Sequence, residues 1–555
     1  MQALRGVSLD VAPGEIVGLV GESGAGKTVL GLAALGLLPP SAELDGHAFL
    51  GDTDMATAPD EHRRLARKRL AGAVFQDPMT SLNPTMTVGR QVAEAAGSMA
   101  AAIEALERAR VPDARRRARQ YPHELSGGLR QRAMIAMAVA GAPALIVADE
   151  PTTALDVTVQ GEILRLLSDL RDETGSSMLF VTHDFAVAAS LADRVAVLYG
   201  GRLAEVGPTK ELLRQPDHPY TAGLLAARPS PDAPRGRPLP VLPGEPPDPR
   251  AHVDACPFAP RCPLVLPACE QRLPQVAAAP SHAGMVACLR AGEPPPSLLQ
   301  LHGRFPDQEQ TPGRPPALRL AGLTKAFGSR ESRQVAVAGL TLEVPAGGAV
   351  ALVGESGCGK TTTLRMAVGL ERPDRGTVGV GEGGRPQLVF QDAGASLTPW
   401  LSVSQLLEER LRSEGLAAGD RAGRVREVLS LVGLPVSVLG LRARQLSGGQ
   451  RQRVAIARAI AVPPALLACD EPISALDVSL AAVVLNLLCR LRAELGMALL
   501  FVTHDLAVAR FVGDRVAVMH DGRIVEEGPP DMVLERPRHR QTKALVAAIP
   551  RLRGA

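Results

Sequence analysis

The sequence predicts an α/β protein built as two tandem copies of one domain, joined by a proline-rich, cysteine-containing linker. Three observations predict this. Gly21-Glu-Ser-Gly-Ala-Gly-Lys-Thr28 and Gly354-Glu-Ser-Gly-Cys-Gly-Lys-Thr361 agree at seven of eight positions. Further short matches keep their spacing: Ser126 to Asp149 and Ser447 to Asp470 are both 23 residues, and Asp149 to His183 and Asp470 to His504 are both 34. Between them, Pro229 to Pro316 holds 22 of the 47 prolines in 88 residues, a density that argues for an extended, semi-rigid connector. The expected division is therefore residues 1–228, a linker over 229–316, a second copy over 317–536 and a tail over 537–555. That tail (ERPRHRQTKALVAAIP from Glu535) echoes QPDHPYTAGLLAARP from Gln215, so each copy carries the same C-terminal appendage.

Composition narrows the classes. With 555 residues, 46% apolar and 21% charged, the chain can bury several cores and is not disordered throughout. Net charge is +3, from 61 basic and 58 acidic residues, which gives no whole-protein field for nucleic acid. Aromatics are 3%, too few for single-strand stacking platforms. The nearest approach to a membrane span, Ala133 to Ala148, is broken by Gly141 and Pro143, and Arg5 and Asp10 interrupt any signal-like start. A soluble, cytoplasmic protein is the expectation. Lysine occurs six times against 55 arginines, and two of the six lie in the Gly-rich loops.

Each Gly-rich loop follows an apolar strand pattern (Ile16–Val20, Ala349–Val353) and precedes a helical one (Val29–Leu38, Thr362–Leu370). Strand, G-x-x-x-x-G-K-T and helix form a phosphate loop. Its glycines, Gly21, Gly24 and Gly26 or Gly354, Gly357 and Gly359, together with Ser23 or Ser356, let backbone N–H groups approach phosphates. Lys27 and Lys360 reach the terminal phosphates, and the hydroxyls of Thr28 and Thr361 ligate magnesium. The runs Ala144–Ala148 and Ala465–Cys469 read as buried parallel strands. Asp149-Glu150 and Asp470-Glu471 would then project from the strand ends into a ligand crevice, the aspartate for magnesium and the glutamate for the attacking water.

Leu-Ser-Gly-Gly (from Leu125 and Leu446) between these motifs, followed by Asp-Glu-Pro, Ala-Leu-Asp and Thr-His-Asp, resembles the ATP-binding cassette (ABC) ATPases over both copies. The resemblance implies two phosphate-loop ABC cassettes that close face to face on two Mg-ATP. Gln76 and Gln391 match the glutamine that senses magnesium and couples to a transmembrane partner. Ser126, Gly127 and Gly128 would contact nucleotide held by Lys360, and Ser447, Gly448 and Gly449 nucleotide held by Lys27. Glu150 and Glu471 match the catalytic glutamate, and His183 and His504 the switch histidine. Phe327 is the candidate adenine-stacking aromatic; at the loop offset of 333, its counterpart would precede Met1. Lys27 to Gln76 is 49 residues but Lys360 to Gln391 only 31, so the second copy is expected to lack part of its small antiparallel β-subdomain. Leu129 stands where the second copy has Gln450.

Val74-Phe-Gln-Asp-Pro-Met-Thr-Ser-Leu-Asn-Pro84, His218-Pro-Tyr-Thr221 and Leu242-Pro-Gly-Glu-Pro-Pro247 resemble oligopeptide and dipeptide importers, and Thr152-Thr153 against Ile473-Ser474 resembles their two distinct ATPase subunits, here fused. This resemblance implies two transmembrane permease subunits, an extracytoplasmic solute-binding protein, and a peripheral position on the cytoplasmic face of a bacterial membrane. The competing class is a soluble twin-cassette ATPase acting on ribosomes or DNA; no basic tract exceeds Arg115–Arg117, which disfavours it. In the linker, Cys256, Cys262, Cys269 and Cys288 are separated by 5, 6 and 18 residues. No C-x-x-C occurs, and the residues alone leave zinc, a cluster or free thiols open. The importer resemblance implies an iron–sulfur cluster, for which four thiolates are the usual set. Cys469 and Cys489 read as small buried hydrophobes, as does Cys358, whose place in a phosphate loop makes it a candidate for oxidation.

Overall fold

The fold is that of a computed structural model, which describes residues 1–152, 155–231, 233–248, 250, 254–293, 303–306, 314–328 and 333–549. Thr153, one of the residues compared with the two importer subunits, and the end of the tail lie outside the described residues.

Apolar runs make the strands. In the first copy, β1 (Ile16–Val20), β2 (Ala71–Val74), β3 (Leu145–Asp149), β4 (Ser177–Thr182) and β5 (Arg194–Tyr199) form a parallel sheet, and β6 (Arg202–Pro208) returns antiparallel beside β5. Two short strands from the proline-rich segment, β7 (Ala277–Ala278) and β8 (Met285–Val286), complete the order β2-β3-β4-β1-β5-β6-β8-β7. The second copy places β9 (Leu318–Phe327) and β10 (Gln334–Val344) before its own core. That core comprises β11 (Ala349–Val353), β13 (Gln387–Val389), β14 (Leu466–Asp470), β15 (Ala498–Thr503), β16 (Arg515–His520) and β17 (Arg523–Gly528), ordered β13-β14-β15-β11-β16-β17. The shared part of the two orders matches strand for strand. Val20 pairs with Thr182 and Val353 with Thr503, while Asp149 pairs with Val181 and Asp470 with Val502. The carboxyl ends that carry the motifs are therefore level, at the edge where parallel sheets bind ligands.

Helices cover the sheets. α1 (Lys27–Ala34) follows the first Gly-rich loop, α2 (Gly127–Val139) starts at the Leu-Ser-Gly-Gly turn, and α3 (Val157–Thr174) follows Asp156. After α4 (Pro219–Ala226) at the end of the first copy, the second repeats the set as α5 (Lys360–Ala367), α6 (Gly448–Ile460), α7 (Val478–Leu495) and α8 (Arg540–Ala547). No helix among the described residues is long and apolar enough to cross a membrane.

Two expectations are corrected. Among the described residues, it is the second copy that carries a three-stranded antiparallel sheet, β10-β9-β12 with β12 at Arg375–Val380, while the first shows the hairpin Phe49–Leu50 with Thr53–Asp54. The shorter Lys360–Gln391 interval has one antiparallel strand, β12, where the first copy has the hairpin, and lacks the helix at Asp60–Leu70; the long strands β9 and β10 precede the loop. Residues 1–11 of the first copy correspond to β10 and no described strand pairs with them, yet Ala3 does the work of Ala336. In each case the carbonyl oxygen lies so close to the loop glycine, Gly26 or Gly359, that an added Cβ would collide with it. Both glycines also have left-handed backbones, with φ of 101° and 105°.

The linker, second, is not simply an extended connector. Residues 254–293 fold against the first copy, with 3₁₀ turns at Ala259–Arg261 and Pro267–Glu270 and the β7–β8 pair on β6. Proline forbids long ladders but suits short turns and edge strands. Phe258 from this segment is fully buried against Tyr199 and Tyr220.

Candidate active site

In each copy four motifs converge at the carboxyl end of the parallel strands: the Gly-rich loop after β1 or β11, Gln76 or Gln391 beyond β2 or β13, Asp-Glu at β3 or β14, and His183 or His504 after β4 or β15. Lys27 Nζ donates to the carbonyl oxygens of Gly21 (2.7 Å) and Glu22 (3.1 Å), and Lys360 Nζ to those of Gly354 (2.7 Å) and Glu355 (2.8 Å). Burial lowers the Lys27 pKa, against the pull of Glu150, Asp477 and Asp149. The loop thus holds each ammonium over the nest that its own N–H groups form.

Thr361 Oγ1 donates to Asp470 Oδ1 at 3.1 Å, and the Thr28 hydroxyl likewise acts to lower the pKa of Asp149. Burial pushes both aspartates above the usual carboxylate range, helped by the neighbouring Glu150 or Glu471. Asp149 Oδ1 is buried without a hydrogen-bond partner. A buried oxygen of this kind, next to a threonine hydroxyl, fits a hard divalent cation such as magnesium.

Glu150 and Glu471 adopt left-handed backbones (φ 46° and 43°), a conformation uncommon for non-glycine residues. Their amides bond Val181 O and Val502 O, which turns each side chain across the strand ends. Each carboxylate then meets the histidine of the next strand: His183 Nδ1 lies 3.2 Å from Glu150 Oε1, and His504 Nδ1 3.2 Å from Glu471 Oε2. Burial would lower both histidine pKa values, but hydrogen bonding to and the charge of the glutamate outweigh it and raise them. Gln76 Nε2 donates to Glu150 Oε2 at 3.2 Å. Gln391 is exposed beside the corresponding place in the second copy. Phe327 ends β9 exposed, with Lys325 Nζ 5.4 Å from its ring centroid.

Ser126 and Ser447 cap α2 and α6, accepting from Leu129 N–H (3.4 Å) and Gln450 N–H (3.2 Å). Gly127, Gly128, Gly448 and Gly449 form the first turns, with Gly127 and Gly448 exposed at the helix N-termini. Gln450 also returns its amide oxygen to the Ser447 N–H, a second cap that Leu129 cannot make.

Reciprocal contacts join the copies. Ser23 N–H donates to Asp477 Oδ2 (3.3 Å), and Ser356 N–H to Asp156 Oδ2 (3.4 Å). Each aspartate of an Ala-Leu-Asp motif thus touches the Gly-rich loop of the other copy. Sequence reasoning had not assigned Asp156 and Asp477 a role, although both lie in a repeated motif. It also missed Tyr220, whose hydroxyl accepts the Glu22 N–H at 2.9 Å, and Arg261, whose guanidinium pairs with Glu22 in a site where both are buried. His218 caps α4 by accepting Tyr220 N–H; burial lowers its pKa to about 4, so it is a neutral acceptor. The His-Pro-Tyr signal was legible, but not that the tyrosine supports the loop.

The four linker cysteines line one small cavity with Phe258, Leu264 and Pro274. No three of their sulfurs come within 4.8 Å of one another, whereas four thiolates on one zinc lie about 3.8 Å apart. Burial raises the thiols of Cys256 and Cys262, and that of Cys288 to about 11. Glu205, Asp217 and His282 do come together, but the carboxylates are occupied by the N–H groups of Asp217, His218 and Ser281. Glu526 serves Arg538 and His539 likewise in the second copy, so Glu205 is a helix anchor. Cys358 is buried and its thiol is pushed up, the opposite of an oxidation-prone thiolate; Cys469 and Cys489 are buried as expected.

With two such sites described, sequence comparison decides the family. Residues 4–153 and 337–474 match the family described as ABC transporter, and residues 204–269 and 525–555 the oligopeptide/dipeptide transporter C-terminal region. The chain belongs to the ABC transporter family. It is 41% identical to the oligopeptide transport ATP-binding protein OppD of Mycobacterium bovis, over 99% of this chain and 95% of that protein. It is 37% identical to the glutathione import ATP-binding protein GsiA of Salmonella choleraesuis, over 99% of this chain and 87% of that one, and 38% identical to GsiA of Escherichia coli K12, over 99% and 86%. A dimeric structure of the ATP-binding cassette MJ0796 with ADP and Pi aligns at 29% identity and a TM-score of 0.35, over 38% of this chain and 98% of that one. The protein is thus an ABC transporter ATPase with a repeated cassette, and its class binds ATP and Mg2+.

Proposed function

We propose that this ABC ATPase powers import of di- or oligopeptides, or of a small peptide such as glutathione, from two nucleotide pockets shared head to tail between its cassettes. The reciprocal Asp477–Ser23 and Asp156–Ser356 contacts carry the pocket assignment, because each puts one cassette's motif on the other's phosphate loop. The solute class rests on likeness to OppD and GsiA along nearly the whole chain.

The first pocket comprises Gly21, Ser23, Gly24, Gly26, Lys27 and Thr28 with Ser447, Gly448 and Gly449. The second comprises Gly354, Ser356, Gly357, Gly359, Lys360 and Thr361 with Ser126, Gly127 and Gly128, and Phe327 stacks its adenine. Lys27 and Lys360 exchange loop carbonyls for the terminal phosphates. Thr28, Gln76 and Asp149, and likewise Thr361, Gln391 and Asp470, would hold Mg2+, which neutralises phosphate charge when bound. Glu150 and Glu471 accept the proton of the attacking water, while His183 and His504 orient the glutamate and donate to the γ-phosphate. Closure of the pockets moves Gln76 and Gln391, the residues placed to signal to two permease subunits. An extracytoplasmic binding protein delivers the solute, and the chain sits peripherally on the cytoplasmic face of the membrane. Cys256, Cys262, Cys269 and Cys288, which share one cavity with their sulfurs further apart than on a single zinc, would hold a [4Fe–4S] cluster.

Affinity purification of the tagged chain from detergent-solubilised membranes, with mass spectrometry, tests this reading. Two multi-span permeases in near-equal amount are expected. Recovery with ribosomal or DNA-repair proteins, and absence from membranes, would overturn the transport assignment.

A further inference from the structure

Among the described residues, the segment between the cassettes reaches both halves of one nucleotide pocket, and Ala233 and Arg235 also meet the second cassette at Arg510 and Gly513. On the second cassette, Leu239 exchanges two bonds with the Asn486 amide, donating its N–H to Oδ1 and accepting from Nδ2 at its carbonyl, both at 2.8 Å. Glu245 accepts from Gln450 Nε2 at 3.1 Å and from Arg453 at 3.2 Å. Gln450 is the residue that caps Ser447, so Glu245 bears directly on the signature turn. On the first cassette, Arg261 makes a two-pronged pair with Glu22, at 2.6 and 3.0 Å. The Arg261 Nε also donates to Pro243 O at 2.8 Å, which ties the two parts of the segment together. Glu22 is the phosphate-loop residue whose carbonyl accepts Lys27, and its carboxylate also receives the Ser479 hydroxyl from the second cassette.

Among the described residues, none of this is repeated at the Lys360 pocket. Glu355, the counterpart of Glu22, is only half-buried, against 2% exposure for Glu22. Leu129 replaces Gln450, and Gln541 stands where Tyr220 supports the first loop. The segment therefore joins Lys27's loop to Ser447's helix, the two halves of a single pocket.

Resting on the head-to-tail reading above, we propose that Arg261 and Glu245 are positioning residues that clasp the two halves of the Lys27–Ser447 pocket and so raise that pocket's affinity for ATP. The physical ground is preorganisation: halves already held in register lose less freedom when nucleotide closes them. Arg261–Glu22 is a buried bidentate pair, where loss of one partner is costly. Glu245 is half-exposed, and its contribution is correspondingly smaller.

The test measures mant-ATP affinity in the full chain with Glu150→Gln and Glu471→Gln, so that nucleotide persists. Adding Lys360→Ala leaves the Lys27 pocket, and Lys27→Ala leaves the other. Glu245→Ala should raise Kd about threefold at the Lys27 pocket and leave the Lys360 pocket unchanged. Arg261→Met should raise it about tenfold at the same pocket, with Arg261→Lys recovering part. No change at the Lys27 pocket, or equal loss at both, overturns the clasp; Glu245→Ala, at an exposed position, keeps the test clear of misfolding. Stoichiometry that ignores both lysine substitutions would instead sink the pocket assignment on which the clasp stands.

Discussion

At the residue scale, the site is a set of ionisable groups whose neighbours decide their charge. His183 and His504 are raised by the glutamates they touch, and Glu471 is held low by His504 although burial alone would lift it. His282 offers a pH test away from nucleotide. Its side chain is fully buried 2.9 Å from Glu205. Burial would lower its pKa, but hydrogen bonding to Glu205 and the charges of Glu205, Asp217 and Glu211 raise it. A histidine raised on folding contributes stability that is complete below its unfolded value, about 6.5, and is lost as pH climbs through the folded value. His282→Gln should therefore cost roughly 3 kcal/mol below pH 6.5, and the gap should narrow at higher pH. Thermal unfolding of both chains from pH 6 to 9 measures it; a gap that stays constant or widens would refute the charged pair.

At the element scale, much was legible in advance. The strand–loop–helix around Lys27 and Lys360 and the strands ending at Asp149 and Asp470 follow from continuous apolar runs beside fixed glycines, and they fold as read. What was not legible depends on partners distant in sequence. Residues 1–11 and β10 share a place beside the phosphate loop, but pairing decides which is a strand, and pairing has no local signature. Proline density suggested a connector, yet Phe258, buried with Tyr199 and Tyr220, draws the segment onto the first cassette. Sequence spacing placed four cysteines within 33 residues, while only the fold puts them on one cavity. Replacing Cys256, Cys262, Cys269 and Cys288 with serine should abolish bound iron and visible absorbance while mant-ATP affinity at the Lys360 pocket changes less than twofold. Iron-free or zinc-containing wild-type protein, purified anaerobically, would contradict the cluster.

At the scale of the whole molecule, fusion makes a cassette pair intramolecular and ensures that each copy always has its partner. The pair is not symmetric. The linker residues Glu245 and Arg261 contact Gln450 of the second cassette and Glu22 of the first, and the second cassette alone has a glutamine after its Leu-Ser-Gly-Gly turn. Sequence reasoning noticed Leu129 against Gln450 but could not say what the difference did, since the answer is a contact with Glu245, 205 residues away. Such contacts between remote segments are what a repeat pattern hides, because it shows what the copies share.

The central claim is that each pocket is built from both cassettes, and one binding measurement addresses it. In the chain with Glu150→Gln, Glu471→Gln and Lys360→Ala, only the Lys27 pocket takes mant-ATP. Placing a carboxylate at the signature turn of either copy then separates the two geometries by charge repulsion with the γ-phosphate. Ser447→Glu should weaken binding about tenfold or more, a like-charge cost of roughly 1.4 kcal/mol, while Ser126→Glu leaves it unchanged. Weakening by Ser126→Glu with Ser447→Glu silent would mean that each cassette closes on its own nucleotide, and the head-to-tail account would be wrong.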